Sequence, residues 1–179
     1  MNKKHIYILS LLLSLMVVLA YMQQLFSEDI RKVAMRNNGA SELSEYKLSE
    51  GEYKVLLPKE WSVEERRENI DGKELEVQFN SDKIEGKILM LNDLDSISEV
   101  DKSLFKNFNN RKYYRYEINE VSWNVLDYEV YENSNKFRNK CYFREYSEGK
   151  VILISFRYDE GKFKPSMEVV FEEIVGNFR

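Results

Sequence analysis

From Ile6 to Met22 the chain reads IYILSLLLSLMVVLAYM, seventeen positions without a charge, and the uncharged stretch runs on through Gln23 to Phe26. At 1.5 Å per residue such a helix covers the ~30 Å of a bilayer's hydrocarbon. A helix that is apolar on every side needs burial on every side, which a core helix of a small domain does not receive. Ser10 and Ser14 interrupt the run, and their hydroxyls can bond back to the helix's own carbonyls. Tyr7 and Tyr21 bracket it, where amphipathic rings prefer the membrane interface. Lys3, Lys4 and His5 precede the run, and Glu28 and Asp29 follow it. The positive-inside rule therefore puts residues 1–5 in the cytoplasm, residues 6–26 across the membrane and all that follows outside. Two outcomes stay open. A retained anchor gives a single-pass protein of the cell membrane. Cleavage near Ala20, within Val18-Leu19-Ala20, gives a secreted one.

Residues 1–26 carry Lys3 and Lys4 and no acid, so of a formal net charge of −4 the rest of the chain holds −6. An acidic body argues against nucleic-acid binding, which needs a basic face to displace counterions from phosphates. It argues equally against a domain lying on anionic lipid, so contact with the membrane is expected through the N-terminal helix only. The single cysteine, Cys141, allows no intramolecular disulfide. Richness in Lys, Asn, Ile and Tyr points to an AT-rich bacterial genome.

Residues 27–45 read as a juxtamembrane helix that gives way to a linker at Asn37-Asn38-Gly39-Ala40-Ser41, and residues 46–179 as one domain. There the period changes to two. Strands are expected at Tyr53–Leu57 (ended by Pro58), Val63–Ile70, Lys73–Asn80 and Lys87–Leu91. Asp71-Gly72 marks a hairpin, and a turn is expected around Gly86. Ile97, Val100, Leu104 and Phe108 recur at helical steps. Strands then follow at Lys112–Val121, Trp123–Glu132, Lys140–Ser147 and Lys150–Tyr158. The closing segment carries a stripe of Met167, Val170, Phe171, Ile174 and Phe178, with Pro165 suited to a helix start. The fold class is α+β: an N-terminal transmembrane helix, then one small domain with an antiparallel sheet packed by two helices.

The segment Tyr53-Lys54-Val55-Leu56-Leu57-Pro58-Lys59-Glu60-Trp61, a strand ending in Pro with Trp three residues on, resembles the opening hairpin of the PsbP-like superfamily. The strand Val151–Tyr158 followed by an amphipathic helix ending Ile174…Phe178 resembles that family's close, so the likeness spans residues 46–179. The resemblance implies an accessory or binding module rather than an enzyme, and it transfers no catalytic residue. A transmembrane segment here would replace the lipid anchor that similar bacterial members carry.

The search for chemistry is mostly one of exclusion. His5 is the single histidine and lies on the cytoplasmic side of the anchor, so the outer domain can hold no catalytic triad and no histidine-based metal site. Cys141 sits mid-strand, where a small buried hydrophobe is expected. Glycines stand singly and build no phosphate loop. Asp93 and Asp95 could open a calcium loop, but Ser98 and Leu104 occupy the positions that need Gly and Glu. No catalytic residue, metal site or cofactor is expected. Trp61 and Trp123 read as core. In Arg111-Lys112-Tyr113-Tyr114-Arg115-Tyr116, cations and rings interleave, which makes Tyr113, Tyr114, Arg115 and Tyr116 a possible interaction surface; cross-strand pairing is the competing account. The expected role is noncatalytic interaction with another membrane or cell-envelope protein. Binding of a small apolar ligand or cell-wall fragment is the alternative, and a carboxylate-dependent hydrolase is a further one.

Overall fold

The structure, a computed structural model, describes residues 3–40, 42–66, 73–92, 110–133 and 135–179. Helix α1 (Lys3–Asn37) is continuous. Within its stretch Tyr7–Asn37 an 18-residue window has a mean hydropathy of 2.0 and none of it is buried, so by length and composition the helix can cross a membrane. The end of α1 is well defined. Gly39 takes φ 67°, its N–H donates to the Arg36 carbonyl at 3.2 Å, and that of Ala40 donates to the Met35 carbonyl at 2.9 Å. This is a Schellman cap with glycine where a left-handed residue is needed, and its expected contact, Met35 with Ala40, lies inside the core.

Around the expected linker over 37–45, the described residues are held against the domain. Met35 and Ala40 are buried, the Asn38 side chain donates to the Ala34 carbonyl at 2.8 Å and to Ser166 Oγ at 3.0 Å, and Arg31 pairs with Glu173 at 3.0 Å. Strand β1 (Leu43–Leu48) starts before the expected domain boundary and pairs antiparallel with β2 (Tyr53–Pro58). Small and polar residues are turn formers in isolation; here they form a cap because apolar neighbours hold the helix end against the domain.

The main sheet has seven strands, all antiparallel, in the order β3-β4-β5-β9-β8-β7-β6. They are β3 (Ser62–Arg66), β4 (Lys73–Asn80), β5 (Ile84–Asn92), β6 (Lys112–Ile118), β7 (Val121–Glu132), β8 (Asn135–Ser147) and β9 (Lys150–Asp159). Helix α2 (Ser166–Gly176) follows, and the alternation of side chains along each strand gives the sheet two apolar faces. One face joins α2, the β1–β2 pair and the end of α1 in a single core that contains Val77, Phe79, Ile88, Tyr142, Ile154 and Phe156. The other carries Leu89, Leu91, Leu126, Cys141, Phe143 and Leu153. The chain is α+β as expected, with a sheet packed by α2. The helix expected around Ile97–Phe108 and the Asp71-Gly72 turn lie outside the described residues.

Two local expectations are corrected. Gly86 lies inside β5, opposite Phe79 and Phe156, and not at a turn. The strand expected over Lys112–Val121 ends at Ile118, because Asn119 (φ 50°) and Glu120 (φ 64°) form a two-residue turn with both central residues left-handed. Asparagine tolerates that region but glutamate seldom does, so the pair carries no turn signature. The turn is secured from outside: Asn119 Nδ2 donates to the Gly176 carbonyl at 3.1 Å.

Candidate functional site

Seven strands in an open sheet leave two edges, β3 and β6. The first is short and charged, with Glu64, Glu65 and Arg66 along it, the usual protection of an edge against foreign strands. The second, KYYRYEI, is exposed at every position but Ile118. Tyr113, Tyr114 and Tyr116 are 53%, 37% and 41% exposed, well beyond what core tyrosines show.

The four residues singled out in the sequence do not share one face. Tyr113 and Arg115 point to the side of the second cluster: the Tyr113 ring lies 6.2 Å from that of Phe143 and its hydroxyl donates to Asn124 Oδ1 at 2.8 Å. Tyr114 and Tyr116 point to the α2 side, where the Tyr116 hydroxyl donates to Glu172 Oε1 at 2.8 Å. Only an approach along the edge meets both sets. Interleaved sequence and a period of two make this split unavoidable.

The Glu172 carboxylate and partial burial push the Tyr116 phenol up to about 12. A raised phenol favours the neutral form, so the bond's stabilisation is complete below the ordinary value near 10 and is lost as pH rises from there toward 12. In Glu172→Gln the Tyr116 ring, followed by NMR, should titrate closer to pH 10. An unchanged midpoint would show that the carboxylate is not responsible.

Several other groups shift through burial or a neighbouring charge. Burial pushes the Cys141 thiol up to about 12, with Tyr128 beside it, so it is a poor nucleophile. Glu42 is lowered by Lys59, Glu45 by Arg179, and Glu129 by Lys136 and Asn110. For Glu74 burial acts upward but hydrogen bonds from Lys150 and Tyr53 outweigh it. Among the described residues no group of three or more His, Cys, Asp or Glu is placed to hold a metal. His5 lies in α1, remote in sequence from the sheet.

A cleft of about 400 Å³ opens between α1, β1 and α2, lined by Val33, Met35, Ala40 and Leu43 and by Arg31, Lys32, Arg36 and Glu173. Sequence reading missed it because it exists only once α1 docks. It missed also the partly buried Arg144, set between the rings of Trp123 and Tyr146.

An antiparallel sheet closed by a C-terminal helix and preceded by a two-stranded hairpin is the PsbP-like fold, as the resemblance implied. Among solved structures, the chain is similar to PsbP (CyanoP) of the cyanobacterium Synechocystis, with a TM-score of 0.54 and 12% identity over 76% of this chain and 91% of that one. It is similar to the protein Mog1, solved as an E65A mutant, with a TM-score of 0.52 and 11% identity over 77% and 95% of the two chains. A Bacteroides thetaiotaomicron protein gives a TM-score of 0.51 at 13% identity; 75% of this chain matches, about half (47%) of that one's length. No family model matches the sequence, and no curated protein does.

Proposed function

We propose that this chain is a noncatalytic docking module, held at the outer face of a membrane by α1, that engages a membrane or cell-envelope protein along the β6 edge. The observation that carries the reading is the edge itself: a seven-residue strand at the end of the sheet with three part-exposed tyrosines on its two faces. Tyrosine and arginine are the residues on which binding energy concentrates at interfaces, and an open strand offers its backbone as well. The fold likeness agrees with a binding role but does not name a partner.

The test is site-resolved crosslinking in cells with the full chain. A photoreactive residue at Tyr113 or at Tyr116 should give the same single adduct, and one at Glu64 on β3 should give none. Tyr116→Ala should weaken capture from position 113 by roughly 30-fold, the effect of losing about 2 kcal/mol at an interface hot spot. Equal capture from Glu64, or none from β6, overturns the reading.

A second reading, binding of a small apolar ligand, is favoured by the α1–β1–α2 cleft, whose about 400 Å³ lies within the range of ligand sites. The crosslinker at Leu43 separates the two: a small-molecule adduct there, with none from β6, supports it.

A further inference from the structure

Among the described residues, each lysine or arginine of the sheet domain that is buried or half-buried has a carboxylate within 3.9 Å, save one. Arg138 lies 2.9 Å from Asp127, Lys140 3.0 Å from Glu168 and Lys150 2.9 Å from Glu74. The exception is Arg144, on the α2 side of β8. Its guanidinium lies 4.9 Å from the ring centroid of Trp123 and 5.4 Å from that of Tyr146. Nη1 donates to the neighbouring Glu145 carbonyl at 3.2 Å, while Nε is buried and has no acceptor.

The ring below it repeats the pattern. Trp123 is 1% exposed, and its Nε1–H is also buried with no acceptor. Both groups are donors only. Stacking on a ring offsets part of a cation's desolvation but supplies no lone pair. Burial accordingly lowers the Arg144 guanidinium below its ordinary value, with only Tyr146 acting the other way. At the other buried or half-buried cations of the domain a carboxylate lies close; beside these two donors, among the described residues, none does.

We propose that Arg144 and Trp123 form an oxyanion site, which takes a carboxylate or phosphate oxygen on the guanidinium fork and the indole N–H. The flanking rings fix the guanidinium in advance, which suits the two-point hydrogen bonding that carboxylates and phosphates both accept. Arg144 is only half-buried, so its outer edge is the way in. Trp123 pairs in register with Tyr116, which puts the site directly beside the β6 edge. The site stands on its own donors and does not depend on a partner seated there.

The test uses the full-length chain, ¹⁵N-labelled in neutral detergent micelles, with the indole and arginine Nε–H signals followed by NMR. Sodium acetate and sodium phosphate are titrated separately against sodium chloride at matched ionic strength. The Trp123 and Arg144 signals should move together and saturate, while the Trp61 indole, packed on Phe79, stays put. Arg144→Gln should weaken the Trp123 response at least tenfold, and Arg144→Lys, which keeps the charge but not the fork, should weaken it as well. Saturation by acetate alone assigns a carboxylate, by phosphate alone a phosphate, and by both the shared oxyanion chemistry. Curves that superimpose on chloride, or a Trp123 response undiminished in both variants, overturn the proposal.

Discussion

Gly86→Ala should destabilise the domain by about 3 kcal/mol, the upper end of ordinary overpacking, although it adds one methyl to a residue in regular strand. A Cβ at this position would lie 1.8 Å from Phe79 Cε2 and 2.2 Å from its Cζ. The ring cannot yield. Phe79 is fully buried, stacked on Trp61 at 5.8 Å, and edge-on to Phe156 at 5.8 Å. Phe156 in turn stacks on Phe171 of α2 at 4.1 Å, so a shift of Phe79 is passed to the helix. The cause is isolated by a double-mutant cycle. Phe79→Ala alone should cost about 3–5 kcal/mol, as removal of a buried ring does. In that background Gly86→Ala should cost nothing, and should even gain a few tenths of a kcal/mol from alanine's smaller loss of backbone entropy. Denaturant unfolding of the four chains measures it, and strictly additive costs would show that the ring does not cover this glycine.

The same residue shows where sequence reading fails. Ahead of the apolar run Lys87–Leu91 a lone glycine reads as a turn, yet glycine inside a strand also marks a place where another group comes close. Which one applies depends on Phe79, a residue of the neighbouring strand, and pairing register is not visible along a single chain. Features fixed by one element were legible. The stripe of Met167, Val170, Phe171, Ile174 and Phe178 is buried at every position, and the alternation of Leu75, Val77 and Phe79 gave the inner face of β4 correctly. Features that need two elements were not. Asn119-Glu120 turns because α2 holds it, and Tyr113 to Tyr116 became an edge only when strand order was known. Arg144 carried no signal in Tyr142-Phe143-Arg144-Glu145-Tyr146, where its charge looks like an ordinary outward residue. Its distinction is that no carboxylate lies beside it among the described residues, a property of the folded surroundings.

The docking of α1 makes the second large prediction. From sequence, a chain lacking residues 1–36 is expected to fold as a soluble monomer, since the turn-prone run begins at Asn37. The structure moves that break toward the N-terminus. A cut after Arg36 removes Ala34 and Met35 from the core, the Arg31–Glu173 ion pair, and the carbonyls of Met35 and Arg36 that cap the helix end. Loss of a buried methionine costs about 2–5 kcal/mol, whereas an exposed ion pair adds little. The chain lacking residues 1–36 should therefore melt roughly 6–12 °C below one lacking residues 1–28, taking about 3 kcal/mol at 2–4 °C each. Calorimetry of the two chains side by side decides it. Coincident melting would mean that the end of α1 is a loose tether, free to swing the domain. The expected gap would mean that α1 holds the domain, and with it the β6 edge, at a fixed attitude to the helix axis, and under the proposed anchoring of α1 in a membrane this limits the directions from which a partner can reach that edge.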